Sequence, residues 1–99
     1  MATEVLGDKF VNGLIYNESE KLEVEGIFVE IGQVPNTDYI AFVDKNGTGN
    51  IIVDPRTQKS SVEGVWAAGD CTDGLYHQNN IAVGDAVKAL ENVYIWLQG

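Results

Sequence analysis

The stretch Gly64-Val65-Trp66-Ala67-Ala68-Gly69-Asp70-Cys71-Thr72-Asp73 decides how the chain folds. Val65 and Trp66 favour a strand, and the small residues after them let a ligand or another backbone approach the end of that strand closely. Asp70 stands at this end, and its ionised carboxylate accepts hydrogen bonds, which suits the hydroxyls of a sugar or polyol. The stretch therefore predicts a strand and a tight turn that carry part of a binding site.

A helix is predicted next, over residues 80–97, because apolar residues recur there at steps of three and four. The first backbone N–H groups of such a helix lack intrahelical partners and attract a carbonyl or an anion. We expect the apolar stripe to face a core. Gly84 costs about 1 kcal/mol relative to alanine inside a helix, so we expect close packing near it. The stripe consists of Val83, Ala86, Val87, Leu90, Val93 and Leu97.

The first part of the chain predicts an antiparallel β-meander. Residues 3–6 and 9–16 alternate loosely between apolar and polar side chains, and Gly7-Asp8 between them supplies turn chemistry. Residues 21–24 and 27–31 follow, each after further turn residues. We expect residues 27–31, the most apolar of these segments, to form the most buried strand.

The middle of the chain leaves more than one interpretation open. Residues 38–43 fit a short helical turn or a strand equally well. Residues 44–50 place oxygen-bearing side chains as a calcium-binding loop does, but Pro55 stands at the twelfth place, where such a loop needs a bidentate Glu. The Asn46-Gly47 pair instead favours a hairpin turn, and residues 51–54 predict a strand after it.

Composition excludes several classes of function. The net charge of −9, from 15 acidic and 6 basic residues, opposes binding to nucleic acid or to an anionic membrane surface. No signal peptide and no apolar run near the ~20 residues of a membrane span are present, so we expect a cytoplasmic location. Cys71 is the only cysteine; no metal site is predicted, and its acidic neighbours disfavour a reactive thiolate.

Two ordered motifs resemble a known family. The stretch from Gly64 to Asp70, followed by Tyr76-His77-Gln78 and Ala82-Val83-Gly84-Asp85-Ala86, resembles the last flavin-contacting segment of the thioredoxin reductase family. The flavoprotein subunit of alkyl hydroperoxide reductase is a close relative in that family. Residues 25–37 resemble the family's crossover from the nucleotide domain to the flavin domain. The chain is therefore identified as the C-terminal segment of a thioredoxin reductase-like, FAD-dependent pyridine nucleotide-disulfide oxidoreductase.

The resemblance implies a fold and a domain organisation. The fold class is α/β, a partial FAD/NAD(P)-binding fold in which an antiparallel β-meander is followed by strands and a C-terminal helix. Residues 1–34 would form the end of the NAD(P)-binding domain. Residues 35–99 would form the C-terminal part of the FAD-binding domain.

The resemblance also implies cofactor-binding residues, and the sequence predicts no catalytic residue. Asp70, beside Gly69, would bind the flavin ribityl chain, and Gln78 with the backbone N–H of Asn79 would meet the polar edge of the isoalloxazine ring. His77 stands beside them, where the family usually has Arg or Lys. The residues alone favour an ordinary turn carboxylate for Asp70 and an ordinary loop residue for His77.

In the resembled family, NAD(P)H reduces FAD, and FAD reduces a disulfide that serves a thioredoxin-like or peroxiredoxin-type protein. This chain has no Gly-x-Gly-x-x-Gly motif and no Cys-x-x-Cys pair. We therefore expect a fragment that is inactive alone, whose partner is the N-terminal part of the enzyme, and which self-associates or forms a homodimer through exposed apolar surface. The alternative is a free-standing, non-enzymatic α/β module that binds a partner or self-associates.

Overall fold

The computed structural model describes all 99 residues, which form three strands followed by one helix. The strands are β1 (Ala2–Gly7), β2 (Val11–Tyr16) and β3 (Glu20–Glu23), and the helix is α1 (Asn79–Leu97). The chain divides into two units, Met1–Gly32 and Gln33–Gly99. The assignment of residues 1–34 and 35–99 to two cofactor domains stays a prediction.

The first unit is a three-stranded antiparallel sheet in the order β1-β2-β3, as the sequence predicted. Val5 pairs with Leu14 and Leu14 pairs with Leu22, so these apolar side chains share one face. Asn17, with φ 47°, forms the turn between β2 and β3, and its Oδ1 accepts a hydrogen bond from the amino group of Met1 at 2.9 Å. Asn tolerates this left-handed conformation better than most residues, which explains its place in the turn.

The expected strand over residues 27–31 was wrong. This segment has no strand partner, and Phe28 and Ile31 are 105% and 96% exposed. Pairing to β2 ends where Val24 N–H donates to Asn12 O at 3.3 Å. An apolar run becomes a buried strand only where a neighbour accepts its backbone hydrogen bonds and covers its side chains, and in this structure residues 27–31 have neither.

The second unit packs its irregular segments around Val43, Ile51 and Val53. Ile51 forms an antiparallel bridge with Lys45 and a parallel bridge with Thr72. The strands expected over residues 51–54 and at Val65 and Trp66 are thus reduced to pairing at single residues. Residues 38–43 contain one hydrogen-bonded turn, closed where Ile40 N–H donates to Thr37 O at 3.1 Å, and no strand.

The hairpin predicted over residues 44–50 is confirmed. Asn46 N–H donates to Asn50 O at 2.9 Å, which closes the turn beside the Lys45–Ile51 bridge. Asn46 Oδ1 accepts the N–H groups of Thr48 at 3.1 Å and Asn50 at 2.9 Å. The side-chain oxygen that suggested a calcium ligand therefore holds the turn itself.

Three polar side chains are buried in this unit, and the sequence did not reveal them as interior residues. Thr37 Oγ1 donates to Gly49 O at 2.6 Å, Gln58 Nε2 to Ala67 O at 3.1 Å, and Thr72 Oγ1 to Gly69 O at 2.7 Å. No buried side-chain polar atom lacks a partner. Burying a polar group costs free energy unless the group is hydrogen-bonded. These bonds therefore favour the one loop arrangement in which all three groups are paired.

Polar contacts hold α1 against the rest of the second unit. Trp66 Nε1 donates to Asn92 Oδ1 at 3.0 Å, and Lys88 Nζ donates to Pro55 O at 2.9 Å. Trp96 Nε1 donates to a carboxylate oxygen of Glu63. The rings of Trp66 and Trp96 meet edge to face with centroids 5.5 Å apart. These contacts determine which face of α1 packs against the rest of the second unit.

The apolar stripe of α1 therefore does not face the core, contrary to the prediction. Val83, Val87, Leu90 and Leu97 are 64%, 53%, 66% and 67% exposed. No atom lies within 4 Å of a Cβ built on Gly84, so the close packing expected there is also absent. Periodicity identified the helix correctly, but the contacts on its other face decide its orientation.

No helix combines the length and the apolarity needed to cross a bilayer.

Candidate functional site

Gly69 lies in the turn of the stretch 64–73 and holds this turn close to the first turn of α1. Its φ is +84°, and a Cβ built on it would lie 3.2 Å from Ala82 Cβ. Its carbonyl accepts hydrogen bonds from both the N–H and the hydroxyl of Thr72. Glycine suits a left-handed position with a helix so close, because it has no Cβ. This close approach fixes the position of the backbone from which Asp70 follows.

A cleft of about 520 Å³ opens beside this turn. It brings together the two segments whose motifs resemble one family, because residues 33–36, Asp70 and His77 all line it. The lining residues are Gln33, Val34, Pro35, Asn36, Thr48, Asn50, Asp70, Cys71 and His77. All of them belong to the second unit, so one unit builds the entire cleft.

The two aspartates near the cleft have different surroundings. The carboxylate of Asp70 is exposed and makes no hydrogen bond within the chain, whereas Asp73 Oδ1 accepts the N–H of Val53 at 3.1 Å. The backbone carbonyl of Asp70 accepts a hydrogen bond from Asn50 Nδ2 at 3.3 Å. Asp73 thus stabilises the fold, while the carboxylate of Asp70 keeps its full capacity to accept hydrogen bonds.

The start of α1 lies just after this cleft in the chain. Gln78 is the N-cap in an extended conformation, with φ −140° and ψ 153°, and its side chain makes no capping hydrogen bond. Asn79 begins the helix, and the first turn carries no acidic residue. Of the five residues predicted for the site, Asp70 and His77 line the cleft, whereas Gly69, Gln78 and Asn79 do not.

Sequence reasoning missed Asn36, Thr48 and Asn50 as lining residues. The hairpin motif explained Thr48 and Asn50 as turn residues, and no signal connected them with Asp70. Ile51 N–H donates to Cys71 O at 2.8 Å, and this parallel pairing brings the hairpin to the cleft. Cys71 itself donates its thiol to Ala68 O at 3.4 Å, so its hydrogen is engaged in the turn.

A second, smaller cavity of about 320 Å³ lies between the other side of this turn and α1. Its charged wall residues include Lys88 and Asp85, whose side chains pair at 3.0 Å. Lys88 also donates to Pro55 O. The cation there already has partners within the chain, so the larger cleft is the better candidate site.

The chain is similar to several known proteins over almost its whole length. It is 41% identical to an NADH dehydrogenase of Bacillus subtilis over 95% of the chain, and 46% identical to an alkyl hydroperoxide reductase subunit of Pseudomonas putida over 90%. Its fold matches the crystal structure of the T. acidophilum thioredoxin reductase with a TM-score of 0.89 and 36% identity over 100% of the chain. The thioredoxin reductase from Giardia duodenalis matches with a TM-score of 0.74 and 32% identity.

These relatives are much longer than the chain. It spans 19% of the Bacillus subtilis protein, 18% of the Pseudomonas putida protein, and 35% of each of the two thioredoxin reductase chains. The family model for pyridine nucleotide-disulphide oxidoreductases matches residues 1–86. The sequence resemblance is confirmed, and the chain belongs to the pyridine nucleotide-disulphide oxidoreductase family, with a thioredoxin reductase-like fold.

Proposed function

We propose that this chain completes the flavin site of a longer NAD(P)H-dependent disulfide reductase and is inactive alone. The observation that carries the proposal is the cleft in which Asp70 and His77 meet residues 33–36. Its volume of about 520 Å³ lies in the range of roughly 300–1,000 Å³ that is usual for ligand sites. The exposed Phe28 and Ile31 support a longer protein, because large uncovered apolar side chains are typical of an interface.

The residues present fit a flavin nucleotide. The carboxylate of Asp70 accepts hydrogen bonds and has no partner in the chain, which suits the hydroxyls of a ribityl group. Gln78 keeps its side-chain amide free of a capping role, so it and the N–H of Asn79 can donate to the carbonyl groups of a flavin ring. His77 contributes a polar ring to the same cleft, and Gly69 fixes the position of this loop.

FAD, when bound, supplies the chemistry by accepting a hydride from NAD(P)H and passing two electrons on to a disulfide. In this proposal residues 1–34 end the NAD(P)-binding domain and residues 35–99 close the FAD-binding domain. The acceptor in this proposal is a thioredoxin-like or peroxiredoxin-type protein, as in the resembled family; the name of the T. acidophilum protein supports the thioredoxin-like acceptor. The chain itself binds and orients FAD and takes no part in proton or electron transfer.

The Asp70→Ala variant tests this role. In the full-length gene product we expect it to raise the dissociation constant for flavin by about 10- to 100-fold, and so to lower the flavin retained per polypeptide, because a charge-assisted hydrogen bond contributes roughly 1.5–3 kcal/mol. Asp38→Ala is the matched control, since Asp38 is also exposed and lies outside the cleft. Flavin absorbance against protein concentration gives the ratio. Equal flavin content in the two variants would contradict the role of Asp70.

A further inference from the structure

The chain contains two Asn-Gly pairs, and the fold places them in opposite surroundings. Asn46-Gly47 lies in the hairpin turn over residues 44–50, whereas Asn12-Gly13 lies within β2. The backbone nitrogen of such a glycine is able to attack the side-chain amide carbon of the asparagine before it, because no Cβ stands in the way. The local structure therefore decides which of the two pairs reacts.

The turn leaves the nitrogen of Gly47 free. The N–H of Gly47 donates no hydrogen bond, and Asn46, Gly47 and Thr48 are all exposed. No atom lies within 4 Å of a Cβ built on Gly47, and its φ lies outside the left-handed region. The peptide at Gly47 therefore has the room that a ring closure needs, and water reaches it.

The side chain of Asn46 is folded back over this peptide. Its Oδ1 accepts the N–H of Thr48 at 3.1 Å, and this bond closes a ring that contains both Asn46 Cγ and the nitrogen of Gly47. Oδ1 also accepts the N–H of Asn50 at 2.9 Å. The hydroxyl of Thr48 lies 2.9 Å from Asn46 Oδ1 and 2.7 Å from Asn50 Oδ1, and its one hydrogen serves either oxygen. Such donors stabilise the negative charge that develops on a carbonyl oxygen when a nucleophile attacks its carbon.

We propose that Asn46 is a site of spontaneous deamidation, which the hydrogen bonds of the turn promote. Water or hydroxide takes the proton of the Gly47 N–H, and the nitrogen forms a bond to Asn46 Cγ. The bond between Cγ and Nδ2 then breaks, Nδ2 takes up a proton and leaves as ammonia, and a succinimide ring remains. Water opens this ring at one of its two carbonyl groups, which gives aspartate or isoaspartate at position 46. This inference is independent of the proposed function.

The modification changes residues that line the candidate cleft. In isoaspartate the backbone runs through the side chain, so the turn between the bridged residues Lys45 and Ile51 becomes longer. The bond in which Asn46 N–H donates to Asn50 O then loses its geometry. Because Thr48 and Asn50 both line the cleft, the isoaspartate product moves two of its lining residues. Aspartate keeps the backbone and adds a negative charge to the turn.

The other Asn-Gly pair is protected by the sheet. Gly13 is buried in the central strand β2 and pairs with Leu6 on one side and with Glu23 on the other. A Cβ built on Gly13 would lie 3.3 Å from Leu6 Cδ1, so this peptide has little space around it. Ring closure would require the peptide to leave the extended conformation, and hence the sheet to open locally. Asn12-Gly13 is therefore a matched control within the same chain.

Peptide mapping by mass spectrometry, after incubation of the 99-residue chain in neutral buffer, tests the proposal. Trypsin separates the two pairs into peptides 10–21 and 46–56, and conversion of an amide to a carboxylic acid raises the mass of the peptide that contains it. We expect peptide 46–56 to gain this mass with time, with fragment ions that assign the change to Asn46. Asn12 should react at least about tenfold more slowly, because its reaction requires the sheet to open. In concentrated urea the two pairs should react at similar rates, because the folded surroundings that distinguish them are lost.

Two variants test the chemistry of the turn. Gly47→Ala places a methyl group beside the attacking nitrogen and should slow the reaction at Asn46 by at least about tenfold. The open space at this position lets the variant keep its fold. Thr48→Val keeps the shape of the side chain but removes its hydroxyl, and should slow the reaction by about 2- to 5-fold, the effect of one ordinary hydrogen bond. Unchanged tryptophan emission would verify that both variants fold.

Three results would overturn the inference: an Asn46 that stays unmodified in the folded chain, equal rates at Asn46 and Asn12 in the folded chain, or a Thr48→Val variant that reacts as fast as the unmodified chain or faster. The first would mean that the hydrogen bonds of Oδ1 hold Asn46 Cγ away from the nitrogen of Gly47. The second would mean that the fold does not distinguish the two pairs. The third would mean that the Thr48 hydroxyl does not promote the reaction.

Discussion

Replacing Gly69 by alanine tests the structural basis of the cleft. An L-residue in the left-handed conformation costs about 1–2 kcal/mol, and Gly69 has φ +84°. The added Cβ would also lie 3.2 Å from Ala82 Cβ, and overpacking of this kind typically costs about 1–3 kcal/mol. The stiffer unfolded chain offsets roughly 0.4–1 kcal/mol of this. We therefore expect Gly69→Ala to lower the free energy of unfolding by about 2–3 kcal/mol.

Gly84→Ala is the matched control, since the same change is made inside α1. Nothing lies within 4 Å of a Cβ at Gly84, and alanine is favoured over glycine in a helix by about 1 kcal/mol. The two variants should therefore shift stability in opposite directions. The difference comes entirely from backbone conformation and local space, because the chemical change is identical.

Urea unfolding followed by tryptophan fluorescence measures both effects at a fixed protein concentration. Trp66 and Trp96 are the only tryptophans and both lie in the second unit, so the signal reports on that unit. With a slope of about 1–2 kcal/mol per molar urea, Gly69→Ala should lower the midpoint by about 1–3 M. A loss below about 0.5 kcal/mol, or a shift of both variants in the same direction, would refute the reasoning about this turn.

Two further substitutions test the contacts that hold the second unit together. Asn92→Ala removes the acceptor of Trp66 Nε1 and should cost about 1–2 kcal/mol; a change in the tryptophan emission should accompany it, and unaltered emission and stability would argue against this anchor. Thr37→Val keeps the shape of a buried side chain but leaves Gly49 O without its 2.6 Å bond, which should cost about 1–3 kcal/mol. Thermal unfolding that matches the unmodified chain would show that Thr37 contributes little.

The sequence predicted the elements whose signals are local. Alternation and turn residues specify β1, β2 and β3, and a period of three to four specifies α1, because side-chain spacing alone distinguishes these structures. The motif around Gly69 and Asp70 pointed to the cleft, because its small residues and its turn carboxylate can be recognised within a few consecutive positions.

What the sequence could not predict depends on contacts between distant residues. The orientation of α1 follows from the bonds of Trp66 to Asn92 and of Trp96 to Glu63, partners that lie 26 and 33 residues apart. Asn50 joins the cleft only because Ile51 pairs with Thr72. The exposure of residues 27–31 reflects the lack of a neighbouring strand, which hydropathy alone does not report.

The most direct test of the proposed function is the intact mass of the native gene product, captured from its source cells by antibody, with the flavin absorbance of the same sample. A yellow product several times heavier than 10.8 kDa is the expected result, since the chain spans 18% to 35% of the similar proteins. A colourless product of 10.8 kDa would contradict a role in a flavin site.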